Sequence, residues 1–306
     1  MIRPMTNDAF ALHRPLLLGL AYRMLGSHAE AEDIVQETFL RWHSAPQESI
    51  QAPRSYLAAV VTNLCLDLLK SARAQREAYV GPWLPEPVLT QVAESLGGAR
   101  PDPDALLEKR QTLSLAFMVL LQRLSPVERA AYLLHKVFEH SHSEVAEILG
   151  KETAACRQLY HRAEQHLASG QLRFAPSQEE HSRLLLAFLQ ALGQGDLAAL
   201  RALLSADAVA WSDGGGKVRA ALKPIYGSDA VARLFLGLLR KSQGLALDTT
   251  LAEVNGWPAM VVRLGGAPYF VLACDCDGQT VHGVYVILNP DKLRLAELSA
   301  TAKQRE

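Results

Sequence analysis

The side chains best suited to chemistry lie in one short stretch near the middle of the chain. The residues Arg157, Gln158, His161 and Arg162 recur at the spacing of one helix face. Arg and Gln can form paired hydrogen bonds with base edges in a DNA major groove, and Arg also neutralises phosphate. The opposite face is apolar, with Cys156, Leu159, Tyr160, Ala163 and Leu167. The pattern fits either a DNA-reading helix or an ordinary helical hairpin with a solvated charged face.

The segment before that helix completes the motif. Ser141 and Glu144 form an S-x-x-E capping box, which predicts a helix over 142–149. Gly150 can then turn the chain at no steric cost. The two helices together predict a helix-turn-helix with its second helix exposed. Glu152 and Thr153, which open the second helix, are not the cap expected there.

A second cluster with chemical potential is Cys274-Asp275-Cys276. Paired thiols can bind metal or cycle between redox states, but no second ligand pair follows at zinc spacing. The four cysteines are therefore interpreted as reduced, mostly buried thiols, and neither a metal nor a cofactor is expected.

Charge and length limit the function classes. The 306 residues are enough for two or more domains, and Lys and Arg number 31 against 32 Asp and Glu. A protein that holds DNA alone is usually basic, so another protein should provide much of the grip here. The sequence contains neither an apolar run long enough for a transmembrane helix nor a signal peptide, so we expect a cytoplasmic protein and no membrane partner.

Helical periodicity predicts the elements that position these residues in the first half of the chain. Helices are expected over 8–26, 28–42 and 54–76. The second has a mostly acidic outer face, which suits either solvent or a protein partner, formed by Glu30, Glu32, Asp33, Gln36, Glu37 and Arg41. The third should expose Thr62, Asn63, Asp67, Lys70 and Arg73. Helices over 108–124 and 126–138 should precede the helix-turn-helix.

A proline-rich connection separates these groups. Trp83-Leu84-Pro85-Glu86-Pro87 predicts an extended, semi-rigid strap whose Trp83 and Leu84 need a partner surface.

After residue 176 the predicted elements alternate. Helices are expected over 177–192, 196–204 and 228–240. Strands are expected over 208–212, from Val218, and over 246–254, 260–264, 269–273 and 281–288, with turns at Asn255-Gly256 and Asp277-Gly278. This order predicts an α+β domain with a strongly curved antiparallel sheet.

Two sequence stretches resemble a known family. Residues 21–43 with 53–77 resemble region 2 of the extracytoplasmic-function sigma factors, and residues 124–150 with the helix that follows resemble region 4. The tail resembles the SnoaL-like branch of the NTF2-like cone fold. The motifs WLPEP at 83–87, DGGGK at 213–217, NGWP at 255–258 and NPDK at 289–292 are similar to hallmarks of the sigma-J-like group.

The resemblance implies a multidomain fold with two all-α sigma domains and a C-terminal α+β cone. Region 2 would span 6–76, the linker 77–107, region 4 108–172 and the tail 177–298. Core RNA polymerase and promoter DNA would be the partners. The implied contacts are Arg157, Gln158, His161 and Arg162 with the upstream (−35) element, Asn63, Asp67 and Arg73 with the downstream (−10) element, and Asp33, Gln36 and Glu37 with core polymerase.

The tail is expected to fold back on the sigma portion and control it. The strap should dock on the two glycine loops, and the terminal segment should lock the same interface. The residues assigned to this intramolecular contact are Trp83, Leu84, Pro85, Asp213, Gly214, Gly215, Gly216, Lys217, Asn255, Gly256, Pro258, Asn289, Pro290, Asp291 and Lys292.

Two alternatives stay open at this point. The tail could bind an unknown small ligand or work as a cyclase or hydrolase, with Asp213, Asp275 or His282 as the base. The chain could also be a stand-alone helix-turn-helix repressor, which would bind promoters without polymerase. The DGGGK loop is not a Walker A motif, because no G-x-x-x-x-G-K-[ST] is present.

Overall fold

The computed structural model describes residues 5–46, 48, 50–77, 79–89, 111–168 and 176–294. The chain divides into two compact units, and residues 78–90 belong to the same unit as the tail. No helix in the described part is long and apolar enough to cross a membrane.

The first unit begins with an N-terminal bundle of three helices, α1 (Met5–Leu25), α2 (His28–Ser44) and α3 (Pro53–Glu77). Ser27 caps α2 by accepting a hydrogen bond from the Glu30 amide. Apolar side chains at three- and four-residue spacing meet in the bundle core, among them Leu17, Leu20, Met24, Leu57 and Val61. The three expected helices are observed, each with slightly different ends.

The helix-turn-helix group follows. After α4 (Leu115–Leu121) come α5 (Pro126–Tyr132), α6 (His142–Leu149) and α7 (Thr153–Ala168). The chain continues from α5 as one π-helical segment, Leu133–Val137, within the range predicted as a single helix to residue 138. Ser125 and Glu128 cap α5, and Ser141 and Glu144 cap α6, each pair through a complete capping box.

Within this unit, arginines join the N-terminal bundle to the helix-turn-helix group; Arg23 and Arg129 are buried, whereas Arg54 is exposed. The Arg129 guanidinium donates to the Met24 carbonyl, and Arg54 donates to the Phe138 carbonyl at 2.9 Å. Arg23 lies over the Phe138 ring at 5.5 Å, and burial lowers its pKa to about 10. These polar contacts make the two groups one compact body.

The second unit is the α+β tail. Its elements are α8 (Gln178–Gln194), α9 (Leu197–Leu203), β1 (Leu204–Asp213), β2 (Ile225–Tyr226), α10 (Ser228–Ser242), β3 (Leu247–Val254), β4 (Trp257–Leu264), β5 (Ala267–Cys276), β6 (Val281–Ile287) and a 3₁₀ turn at Pro290–Lys292. The sheet order is β2-β1-β6-β5-β4-β3. Helices α8 and α10 cover one face around Phe188 and Phe235, whose rings meet edge to face at 5.5 Å.

The structure corrects four details of the prediction. In the described part of the range 108–124, the expected single helix is interrupted by a turn at 112–114, and α4 ends at Leu121. β1 and β6 pair in parallel, so the sheet is not wholly antiparallel. No strand begins at Val218, because residues 218–224 form turns and irregular backbone before β2. Thr62 is fully buried rather than exposed, since it lies on the side of α3 that packs into the first unit. The overall plan, two helical groups followed by an α+β cone, is confirmed.

Candidate functional site

Burial divides α7 into the two faces that the sequence predicts. Cys156, Leu159, Tyr160, Ala163 and Leu167 are buried, whereas Arg157, Gln158, His161 and Arg162 are exposed. A stacked contact between Tyr132 and Tyr160, with centroids 5.9 Å apart, fixes α7 against α5. The four exposed side chains are therefore presented together on a well-packed helix.

Two carboxylates hold polar side chains of α7. Glu164 accepts a 2.6 Å hydrogen bond from the Tyr160 hydroxyl and lies 3.4 Å from Nδ1 of His161. Glu128 lies 3.4 Å from Nε of Arg162. The sequence pattern did not reveal either contact. Glu128 lies 34 positions from Arg162 in the chain, and only packing brings it to α7.

A histidine cluster supports the turn of the motif. The His135 and His142 rings stack with centroids 3.9 Å apart, and His135 also meets Tyr160 edge to face. Burial, together with the nearby charges of His135, Arg157 and His161, lowers the pKa of His142. The ring of His142 is therefore mainly neutral at pH 7.

The N-terminal bundle presents the two other predicted surfaces. On α2, Asp33 and Gln36 are exposed, and Glu37 pairs with Arg41 at 2.9 Å. Leu40 is 52% exposed one turn further along, which adds an apolar contact that the charge pattern did not reveal.

The exposed side of α3 is polar. Asn63 and Asp67 face solvent, and Lys70 donates a 2.9 Å hydrogen bond to Asp67. Arg73 lies in the same helix, but its side chain is outside the described part of the structure.

The four tail and strap motifs meet at one site around Asp213, the last residue of β1. This carboxylate is fully buried. Its Oδ1 accepts from the Tyr79 hydroxyl at 2.6 Å and from the Gly215 amide at 3.0 Å, and its Oδ2 accepts from the Leu84 amide at 2.8 Å. Asp213 therefore binds the strap, residues 79–89, directly to the DGGGK loop.

Lys292 of the NPDK turn neutralises Asp213. Its Nζ lies 2.8 Å from Asp213 Oδ2 and also donates to the Leu84 carbonyl. The ammonium sits 3.9 Å from the centre of the Trp83 ring, within the range of a strong cation–π contact. One buried cation thus contacts the strap backbone, the strap tryptophan and the loop carboxylate.

Further contacts extend the strap site at both ends. Asn289 donates to the Tyr79 hydroxyl at 2.9 Å, and Lys217 pairs with Asp291 on the surface. At the other end, the side-chain oxygen of Asn255 accepts from the backbone amide of Val88 at 2.9 Å. The backbone amide of Asn255 donates to the Val88 carbonyl at 2.7 Å. A β-bridge between Leu89 and Val254 continues the strap along the sheet edge.

Close approach explains one of the loop glycines. Gly215 has a φ of +59°, and a Cβ at that position would lie 2.3 Å from the Asn289 side-chain nitrogen. Only glycine fits both the left-handed backbone and the space under Asn289. Tyr79, Val88 and Asn289 complete the site, and the signal for Tyr79 in the sequence was only its position four residues before Trp83.

Asp213 lies apart from the other two candidate bases of the tail, whereas Asp275 lies across the sheet from the residue next to His282, and His282 acts to lower the pKa of Asp275. In the sheet register Asp213 pairs with Ile287, whereas Asp275 pairs with Gly283, four residues away along β6. Desolvation raises the pKa of Asp275 to about 7, and His282 Nε2 donates to the Asp277 carboxylate at 2.9 Å. Asp213 is fully engaged by the strap and has no room for a substrate.

No group of three or more metal-ligating side chains converges in the described ranges. A groove of about 670 Å³ runs along the outer side of α8, and the described residues that line it include Ser182, Arg183 and Leu186 but none of the candidate bases.

Comparison with known proteins gives a consistent result. The Sigma-70 region 2 family matches residues 9–75, and the Sigma-70, region 4 family matches residues 114–167. The chain is 39% identical to the ECF RNA polymerase sigma factor SigJ of Mycobacterium tuberculosis over 94% of this chain and 93% of that protein. It is 29% identical to the probable sigma factor SigI of the same species over 94% of each. The crystal structure of SigJ superposes with a TM-score of 0.72 at 34% identity, covering 94% of this chain and 97% of SigJ.

The buried pair predicts an uneven response to lysine removal. Lys292→Met should lower the free energy of unfolding of the tail by about 3–5 kcal/mol, because Asp213 would stay buried without its counter-charge. Lys217→Met is the matched control: its pair with Asp291 is exposed and should contribute at most about 1 kcal/mol. Urea unfolding followed by tryptophan fluorescence measures both. Equal effects of the two substitutions would contradict the central role of Lys292.

Proposed function

The chain belongs to the extracytoplasmic-function RNA polymerase sigma factors, and from this premise we propose that its SnoaL-like tail controls it in cis through the strap. As a sigma factor it directs RNA polymerase to promoters, a function carried by its two Sigma-70 regions and by its 39% identity to SigJ over nearly the whole length. It works where the polymerase is, in the cytoplasm. Run-off transcription with core polymerase, full-length protein and a promoter template tests the premise directly.

We assign the upstream element to α7. Arg157, Gln158, His161 and Arg162 are exposed on one face of a helix that follows a capped scaffold helix, the geometry that a major-groove reader needs. The near-neutral net charge agrees with this assignment, because a sigma factor works inside a holoenzyme that supplies further DNA contacts.

We assign core binding to the α2 surface of Asp33, Gln36, Glu37 and the exposed Leu40, against the clamp coiled coil of the largest catalytic subunit. Retention of core polymerase by a Gln36→Ala, Glu37→Ala double variant in a pull-down would show that this face is merely solvated.

The polar side of α3, with Asn63, Asp67 and Arg73, is assigned to the melted downstream element, where extruded bases need hydrogen bonds and stacking. Permanganate reactivity of the melted strand in an Asn63→Ala holoenzyme measures that role.

The contact between the two sigma regions supports a controlled, closed state. Arg54, Arg23 and Arg129 tie the N-terminal bundle to the helix-turn-helix group. The names −35 and −10 place the two promoter elements about 25 base pairs apart, which is roughly 85 Å at about 3.4 Å per base pair. Groups that touch each other cannot reach both elements at once, so promoter binding requires these contacts to open.

The strap makes the tail a natural controller of that opening. It is part of the covalent connection between the two sigma regions, and Asp213, Asn255 and Lys292 hold it within the tail unit. A tail that holds or releases the strap changes how far the two reading regions can separate. Because Asp213 is committed to this contact, we propose a regulatory rather than an enzymatic tail.

The upstream assignment predicts a loss at defined positions. Arg157→Ala should weaken promoter recognition by about 1–3 kcal/mol if the guanidinium makes a paired base contact. The exposed Glu147 of α6 offers a control outside the reading face, and Glu147→Ala should leave promoter preference unchanged. Transcription from templates with single base changes in the upstream element measures both. An Arg157→Ala protein with the original preference would refute the assignment.

Control by the tail predicts opposite effects of two truncations. Removing residues from Asn289 onward deletes Lys292 and Asn289, loosens the strap and should raise transcription. Removing the whole tail should abolish transcription, because the apolar strap loses its partner surface and Leu84, now 1% exposed, meets water. Run-off transcription compares both truncations with the full chain at equal core-polymerase occupancy. Equal activity of all three would make the tail a passenger.

A further inference from the structure

Glu128 has two structural roles at the base of the recognition helix. Its side chain is only 11% exposed. Oε2 accepts hydrogen bonds from the Ser125 amide at 3.1 Å and the Ser125 hydroxyl at 2.7 Å, which completes the cap of α5. The other oxygen, Oε1, faces α7 and lies 3.4 Å from Nε of Arg162. One carboxylate therefore joins the start of α5 to the exposed face of α7.

Glu128 contacts one edge of the Arg162 guanidinium, which determines which of its nitrogens remain available to bind DNA. A guanidinium carries five donors in a rigid plane. The recorded ion pair is with Nε, and the side chain remains 58% exposed, so the end of the guanidinium formed by the two terminal nitrogens stays accessible to a ligand. A paired contact with guanine or phosphate uses such terminal nitrogens.

The other complete capping boxes of the described chain do not share this arrangement. Glu144, which caps α6, is 46% exposed and lies 3.8 Å from His140, and Glu180 caps α8 in the tail. Burial acts to raise the pKa of Glu128, but hydrogen bonds from Ser125 and the charges of His166 and Arg162 outweigh it and hold that pKa below its ordinary value. Glu128 is thus anionic at neutral pH beside Arg162.

We propose that Glu128 is a positioning residue for promoter recognition: it orients the Arg162 guanidinium so that its terminal nitrogens meet the upstream element. The inference rests on the proposed role of α7 and adds a residue that does not itself touch DNA. The imidazole of His166 also lies beside this carboxylate, with Nδ1 4.0 Å from Oε2. An arginine held at one edge loses less rotamer freedom when it binds, so its base contact becomes both stronger and more selective.

A charge near DNA has a second effect that the experiment must separate. Removing any negative charge from a DNA-facing domain increases non-specific binding, whatever the geometry. Overall affinity therefore does not distinguish orientation from simple repulsion. Discrimination between bases does, because only an oriented guanidinium prefers one base over another at a given position.

The test uses full-length variants with core polymerase on a promoter library randomised over the upstream element, read by sequencing the transcripts. Arg162→Ala should reduce base preference at one or two positions by roughly 5- to 100-fold. Glu128→Gln keeps an oxygen for Ser125 but removes the charge, and should reduce preference at the same positions by about two- to fivefold, the range for a partly exposed ion pair. In the Arg162→Ala background, Glu128→Gln should change nothing further.

Two controls keep the outcome interpretable. Glu144→Gln removes an equivalent capping charge from the same domain and should leave the preference profile unchanged. Arg162→Lys leaves α5 intact and keeps the positive charge but lacks the planar fork, so it should lose preference even if Glu128→Gln folds poorly.

The results distinguish the role of Glu128 from the role of Arg162 on which it rests. If Arg162→Ala matters but Glu128→Gln has no effect, or acts at other positions, or adds to Arg162→Ala, then Glu128 only caps α5 and the inference is wrong. If Arg162→Ala retains every preference, the role assigned to Arg162 fails together with it, while the assignment of Arg157 stands on its own test.

Discussion

The strap site depends on one ion pair, Lys292 with Asp213, in a place where water is excluded. Moving two charges out of water is unfavourable by several kcal/mol per ion unless other groups replace the lost solvent. Here the replacements are complete: the carboxylate accepts from Tyr79, Gly215 and Leu84, and the ammonium contacts a backbone carbonyl and the Trp83 ring. The pair is stable only while the strap, the loop and the terminal turn are all in place, so the loss of any one segment destabilises the contacts of the other two.

That mutual dependence gives the site the character of a switch. A buried pair whose partners come from three segments does not loosen gradually, because removing any one segment leaves a charge without compensation. The first unit has a similar arrangement, with the buried Arg23 over the Phe138 ring and the buried Arg129 on the Met24 carbonyl, both between the N-terminal bundle and the helix-turn-helix group. At the strap site and between the two helical groups, buried charged side chains have their partners only in this closed conformation. Core polymerase and promoter DNA can shift such an equilibrium only by binding the open conformation more tightly.

The DNA-reading surface follows the opposite principle. Its side chains stand on a helix whose inner face is fully packed, and carboxylates from the same domain hold them: Glu128 for Arg162 and Glu164 for His161. The carboxylate beside Arg162 offsets part of the positive charge on this face, which limits non-specific attraction to DNA. Recognition then relies on well-oriented hydrogen bonds within a holoenzyme rather than on general electrostatic grip.

The sequence by itself determined the helical groups, the face of α7 and the α+β character of the tail, because periodicity, capping boxes and turn residues act over a few positions. The helix over 142–149 is observed at the predicted residues, and the buried and exposed residues of α7 divide as its spacing predicts.

Contacts between distant segments were decided only by the tertiary structure. Thr62 reads as a surface residue until α3 packs, and the parallel pairing of β1 with β6 depends on how the sheet closes. Asp213 reads as a loop carboxylate or a base until Tyr79, Leu84 and Lys292, separated from it by 134, 129 and 79 positions, surround it. Local rules fix which surfaces a segment offers, whereas burial of charge is a property of the assembled fold.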